Sequence, residues 1–400
     1  MKKTSEALFE FASATRKLTV TEGEIITTPL AQLDVDQLLQ SQSRADQNIV
    51  ICGMSPFDPH EESYLIKPTS FGWEDLTESR DRPKWGGHNG ATPSQDYAPV
   101  LTEEPETKEN NTLSREHYQA SVRQALKDIE NEKYCKIVLS RTKNLRLAST
   151  EDSLQAFDQK LFEALRQANP LADTFLVRRT EQESWIGASP EIVSDVQQST
   201  FTTHPLAGSL NRQMQPLLAK AQEQLFHSSK DLKEHAFVVD HIRQALDALP
   251  GVSTSIPSHP SITTTDTMWH LGTPISATVP QRISALEIAK VIHPTPAVCG
   301  VPTDRTLERI SELEKNPRSF YSGLVGWMDA RGNGRWSLIL RCTRRKDRML
   351  TLFAGAGIVK DSLPELELAE TEAKMQTIVK ALSATTSHDS LATSCSGSRA

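Results

Sequence analysis

The chain has 400 residues, 37% of them hydrophobic and 24% charged, which by length suits roughly two to three domains or one large α/β sheet with a sizeable core. Its 44 Lys and Arg against 51 Asp and Glu leave a net charge of −7, so nothing in the overall balance draws it to nucleic acid or an anionic membrane. No stretch approaches the ~18 apolar residues of a membrane helix, and MKKTSEALFEFASATRK lacks the apolar run of a signal peptide. Five cysteines without a C-x-x-C pair fit neither a disulfide framework nor a zinc ribbon, and a reduced, cytoplasmic protein is expected.

In chain order, residues 1–75 mix short apolar runs such as Ile49-Val50-Ile51-Cys52 with polar connections. Residues 76–112, rich in Pro, Gly, Glu and Asn, read as a long loop or linker. Patterning is dense from Leu113. Tyr118, Val122, Leu126 and Ile129 recur at helical spacing, and KIVLSR (136–141) is a short β-type run. Leu154, Phe157, Leu161 and Leu165 mark a second helix, stopped by Asn169-Pro170. The stretch 173–196 reads as two or more strands joined by polar turns, and 323–359 as strand, Gly/Asn turn, strand, polar turn, strand. Hairpins imply antiparallel pairing, where a doubly wound nucleotide fold would interpose helices. The expected fold class is therefore α/β (α+β), a large antiparallel sheet system flanked by helices. Residues 383–400, rich in Ser and Thr, read as a disordered tail.

Two acidic helices stand out. After Pro364, Glu367, Glu370 and Lys374 share one helical face, and in SSKDLKEHAFVVDHI (228–242) Asp231 and Glu234 do the same. Paired carboxylates on two helices suit Mg²⁺, a hard cation that prefers oxygen ligands; they equally suit two solvated faces with Glu–Lys pairs. Gly355 and Gly357 interrupt the strand-like LFAGAGIV (352–359), marking either close backbone approach to a ligand or a bulge, and the run fails as a dinucleotide fingerprint. PLAGS (205–209) is another Gly-containing turn. Lys136 shares a strand face with Val138 and Ser140, a place where lysine is ordinarily exposed. Glu191 follows a Ser-Pro turn at a strand entry. His270 and His293 lie outside any zinc pattern and read equally as core histidines. Arg341 either clamps a carboxylate with its planar fork or caps a strand.

The order of these blocks says more than any one of them. KIVLSR, GASPEIV, PLAGS, SKDLKEH, MWHLGTP, HPTPAVCG, FYSGLVGWMDARGNGRW, LFAGAGIV and E-x-x-E-x-x-x-K resemble, over residues 115–382, the chorismate-utilising family. That family includes the anthranilate, aminodeoxychorismate, salicylate and isochorismate synthases. The resemblance implies their chorismate-binding fold, with antiparallel sheets around a buried Mg²⁺ site. Residues 113–382 would be the catalytic core, and 1–112 a variable part of the same globule. Members that add water at C2 of chorismate carry a lysine where Lys136 stands. PLAGS followed by Arg212, and HPTPAVCG, are most similar to the siderophore-pathway isochorismate synthases, from which Leu210-Asn211 and Cys299 depart.

What the resemblance implies for the site is specific. Mg²⁺ on Glu234 and Glu370 would take the ring carboxylate, with Glu367 and Asp231 ordering its waters. Arg341 and backbone amides near Gly355 would take the enolpyruvyl carboxylate, helped by Lys374 and the Gly208-Ser209 turn. Lys136 would be the general base towards water, and Glu191 the general acid for the C4 hydroxyl, a role that demands a raised carboxyl pKa in a dry pocket. His270 would hydrogen-bond near C4. Salicylate formers tend to carry a hydroxyl residue where Ala297 stands, so turnover is expected to stop at isochorismate. A salicylate synthase and a menaquinone-pathway isochorismate synthase are the alternatives, with a degenerate binding protein of this fold as the non-enzymatic one. Implied partners are chorismate and a downstream isochorismatase, the product feeding catecholate siderophore (2,3-dihydroxybenzoate) synthesis, with no nucleic acid, no membrane and a monomeric enzyme.

Overall fold

The computed structural model describes residues 6–40, 48–77, 101–102, 105–147, 153–265 and 267–387. Among these residues, seventeen strands join in one sheet, and Leu206–Asn211, Ser261–Thr264 and Met268–Gly272 form a second. The ladders are antiparallel, as the hairpin-rich sequence leads one to expect. The N-terminal strands belong to the large sheet: Phe9–Ala12 pairs with Asp173–Arg178, and Ile49–Ser55 with Leu324–Asp329.

Local signals account for the helices on its faces. Ser153 accepts from the Ala156 amide at 3.2 Å to start the helix Leu154–Ala168, and Asn169 ends it before Pro170. Its buried Phe157, Leu161 and Leu165 pack with Met375, Ile378 and Leu382 of the C-terminal helix, Pro364–Ser387. The largest core cluster sets Tyr118 and Val122 of the helix Pro105–Glu130, and Val238 and Ile242 of the helix Ser229–Asp247, together with Trp336 of the sheet. Trp336 and Trp185 are fully buried, so truncating either to alanine costs on the order of 3–5 kcal/mol.

Two boundaries differ from the sequence reading. The helix Pro105–Glu130 begins inside the stretch read as a linker, because PETKENN has good helix formers yet no apolar period to reveal them. Residues 78–100, the rest of that expected linker, lie outside the described residues. At the other end the last helix runs to Ser387, past the expected end of the core at Leu382, and residues 388–400 of the expected tail lie outside the described residues. Among the described residues no helix is long and apolar enough to cross a membrane.

The feature that positions the site is one long ladder. Lys136–Leu147, twice the length of the KIVLSR run, pairs with Met349–Ile358 so that Gly357 stands opposite Val138 and Gly355 opposite Ser140.

Candidate active site

A cleft of about 570 Å³ is lined from both sheets and from the two acidic helices. Glu234 projects from the helix Ser229–Asp247, which Ser228 caps by accepting from the Asp231 amide at 3.2 Å. Glu370 and Lys374 come from the C-terminal helix, four residues apart and therefore on one face. Gly355 and Gly357 supply backbone from the long ladder, and Gly208, Ser209 and His270 from the small sheet.

Lys136 is buried, not solvated. Its side chain is 0% exposed, and its Nζ lies 3.0 Å from Glu234 Oε1. A glycine on the neighbouring strand makes that possible: a Cβ on Gly357 would stand 2.2 Å from Glu234 Oε1 and 3.1 Å from Lys136 Cε. Burial pushes the Glu234 carboxyl up, but Lys136, Lys230 and Lys374 outweigh it and hold the carboxyl below its ordinary value. Lys374 Nζ lies 2.6 Å from Glu370 Oε1 and donates to the Gly355 carbonyl at 2.9 Å.

Arg341 is the contrasting cation. It is 8% exposed, lines the cleft, and among the described residues has no carboxylate within ion-pair distance. Its backbone is left-handed, with φ 47°, as is that of Ser322 across the wall, with φ 64°. Arginine tolerates that region poorly, and a buried guanidinium without a counter-ion is costly, so the arrangement favours an anion in the cleft.

Glu191 sits in the turn between Glu183–Ser189 and Ile192–Gln197, where its amide N–H donates to Ser189 Oγ at 3.3 Å and its carbonyl accepts from the Leu338 amide at 3.0 Å. It is 5% exposed, and burial pushes its carboxyl up to about 7 against the opposing pull of a hydrogen bond from the Leu206 amide and of Lys136, Lys374 and Arg341. It is thus a carboxyl that holds a proton near neutral pH. His270 is fully enclosed; burial, then Arg341 and Lys374, push its proton affinity well down and leave the ring neutral.

Ala297 and Val298 form an apolar stretch of the wall. Arg318 fixes it, donating to the carbonyls of Val298 at 2.6 Å and Val138 at 2.8 Å, while Glu314 binds Arg318 and accepts from Ser140. Asp231 and Glu367 are not among the cleft-lining side chains. Glu367 is buried behind the wall and accepts from Lys230 at 2.8 Å, whereas Asp231 packs against the back of Gly208. His293 lies away from the cleft, with Nε2 3.1 Å from the Phe57 carbonyl oxygen, as a core histidine.

Tyr321 and Ser322, inside FYSGL, escaped the sequence reading of roles, because nothing local in that run marks either for the cleft. Tyr321 stacks on Phe353 with ring centroids 5.3 Å apart, and burial pushes its phenol up to about 12.

What the cleft would offer Mg²⁺ is Glu234 and Glu370, paired with Lys136 at 3.0 Å and Lys374 at 2.6 Å. Two carboxylates from separate helices face one cleft, and hard oxygen ligands are what that ion requires. Among the described residues no group of three or more His, Cys, Asp and Glu side chains is placed to hold a metal, so water and substrate oxygens would complete the shell.

Residues 76–383 match the sequence family described as chorismate binding enzyme. The chain is 35% identical over 358 residues to the isochorismate synthase DhbC of Bacillus subtilis (strain 168), covering 87% of this chain and 84% of that protein. It is 33% identical over 381 residues to the vibriobactin-specific isochorismate synthase of Vibrio cholerae serotype O1, covering 93% and 91%. A solved structure from Bacillus anthracis, named as a 2,3-dihydroxybenzoate-specific isochorismate synthase, DhbC, aligns with a TM-score of 0.80 at 32% identity, covering 95% of this chain and 97% of that one.

Proposed function

The chain belongs to the chorismate-binding enzyme family, and from that premise we propose that it isomerises chorismate to isochorismate. The observation that carries this reading is the pairing, in one cleft, of an unpaired buried guanidinium, Arg341, with a carboxyl that titrates near 7, Glu191. A dicarboxylate substrate needs the first, and loss of a ring hydroxyl needs the second.

Arg341 would grip one substrate carboxylate, with Lys374 beside it. Lys136, buried and dry, would be the general base in its neutral form, having given up the proton it shares with Glu234: it takes a proton from water as the oxygen bonds to C2. The ring double bonds shift, the C4–O bond breaks, and Glu191 donates the proton with which the C4 hydroxyl leaves as water. One water enters and one departs, so the reaction is an isomerisation. Mg²⁺ bound by Glu234 and Glu370 would neutralise the other carboxylate. Glu367, hydrogen-bonded to Lys230 behind the wall, would steady Glu370 on the same helix. Ala297 and Val298 offer no hydroxyl to hold the enolpyruvyl group folded for elimination of pyruvate, so isochorismate leaves. The relatives named for vibriobactin and for 2,3-dihydroxybenzoate support an enzyme that supplies a catecholate siderophore pathway.

Incubation with chorismate and Mg²⁺, with the products identified, tests the reading. Isochorismate is the expected product. Unconverted chorismate would overturn the proposal, and salicylate with pyruvate would make the protein a lyase.

A further inference from the structure

The small sheet contains a bulge that has a use. Leu206–Asn211 pairs with Met268–Gly272, and the register shifts between Ala207 and Ser209 at Gly208, whose φ is 78°. A bulge re-aims the side chains beyond it. Here it sets Ser209 directly opposite His270, with Ser209 Oγ and His270 Nδ1 2.8 Å apart. The other ring nitrogen, Nε2, is buried and has no hydrogen-bond partner, in a ring that lines the cleft.

A neutral imidazole has one donor nitrogen and one acceptor nitrogen, and its partner at one decides what the other offers. If Nδ1–H donated to Ser209, a bare Nε2 lone pair would face the cleft. Of the six oxygens of chorismate only the C4 hydroxyl carries a proton; the four carboxylate oxygens and the ether oxygen can only accept, and a lone pair facing any of those five is repelled. If the Ser209 hydroxyl donates to Nδ1, the serine proton is satisfied and Nε2–H faces the cleft as a donor. We infer that Ser209 is a positioning residue: its hydroxyl donates to Nδ1 of His270 and fixes the ring as the tautomer that offers Nε2–H to a substrate oxygen. His270 then gives the cleft an uncharged donor beside two cations, where a third cation would raise the cost of the empty site.

The inference takes its substrate from the chorismate reading, but its readout is independent of turnover. In protein labelled with ¹⁵N-histidine, long-range ¹H–¹⁵N correlation reports which ring nitrogen carries the proton, with His270 identified by the signal lost in His270→Gln. The wild-type ring is expected as the Nε2–H tautomer. Ser209→Ala should convert it to a mixture or to the Nδ1–H form and lower kcat for chorismate about tenfold with less change in KM, the scale of one neutral hydrogen bond. Ser209→Thr, which keeps the hydroxyl, should restore both. A wild-type His270 in the Nδ1–H form overturns the inference, as does an unchanged tautomer in Ser209→Ala whatever happens to the rate. Tautomer control in a protein that leaves chorismate untouched would instead overturn the proposed reaction and leave the role of Ser209 standing.

Discussion

Gly357→Ala separates the chemistry of the cleft from the stability of the fold. The added methyl would sit 2.2 Å from Glu234 Oε1, 3.0 Å from its Cδ and 3.1 Å from Lys136 Cε. Carbon and oxygen rest at about 3.5 Å, so the carboxylate must retreat by about 1 Å and the lysine must follow. Gly357 does not have a left-handed backbone, so alanine suffers no conformational strain there. What it displaces is the end of a flexible side chain, and overpacking of that kind costs about 1–3 kcal/mol, a fall in Tm of a few degrees. Catalysis is less tolerant, because a misplacement of about 1 Å in a reacting group costs on the order of 10²-fold in rate. The assay is kcat and KM for chorismate at saturating Mg²⁺, with thermal melting in parallel. Gly355→Ala is the comparison: the nearest neighbours of its methyl are the Leu139 carbonyl at 3.0 Å, the Tyr321 hydroxyl at 3.2 Å and Ser140 Cβ at 3.4 Å, where those of Gly357 are Glu234 and Lys136. A folded Gly357→Ala protein with wild-type kcat would refute the claim that the Lys136–Glu234 pair is set by this glycine.

Because Glu191 must carry a proton to act, and burial raises its carboxyl to about 7, kcat/KM should fall as pH rises through about 7; a flat profile from pH 6 to 9 would count against it. Glu191→Gln and Lys136→Ala should each lose at least ~10² in isochorismate formation while remaining folded by circular dichroism. Chelation should abolish turnover and Mg²⁺ restore it, with Glu234→Ala and Glu370→Ala inactive at ordinary Mg²⁺, whereas activity persisting in excess EDTA would defeat the metal reading. A time course near neutral pH should end at isochorismate; salicylate appearing as fast as chorismate disappears would show that the Ala297–Val298 wall does not decide the product.

The hairpins at 173–196 and 323–359 were legible because their period of two and their Gly, Asn and Asp turns are local properties. The pairing of Phe9–Ala12 with Asp173–Arg178 was not, since nothing in either stretch names a partner so far along the chain. At the site, spacing along a helix puts Glu367, Glu370 and Lys374 on one face but does not say which of them meets the cleft. Packing decides it: Glu370 and Lys374 do, while Glu367 turns to Lys230. Lys136 is the sharper case. A lysine opening a strand is ordinarily exposed, and it is buried here because a glycine on the neighbouring strand and a glutamate from a helix distant in sequence make room for its charge.

These features belong together because each is unfavourable in an ordinary core. Lysine without solvent, a guanidinium without a counter-ion, a carboxyl protonated near neutrality, and non-glycine residues with left-handed backbone at 322 and 341 all oppose folding. Elsewhere the fold obeys the usual rule, as where Arg345, fully buried, is held by both oxygens of Asp158 at 2.6 and 2.8 Å. An Arg341 matched in the same way by Glu191 would make the protein more stable and the carboxyl ionised, and an ionised carboxyl cannot protonate a leaving hydroxyl. The cleft keeps the two apart, with burial acting on Glu191 more strongly than the nearby cations. An anionic substrate can then supply the charge that Arg341 lacks without taking the proton that Glu191 must give.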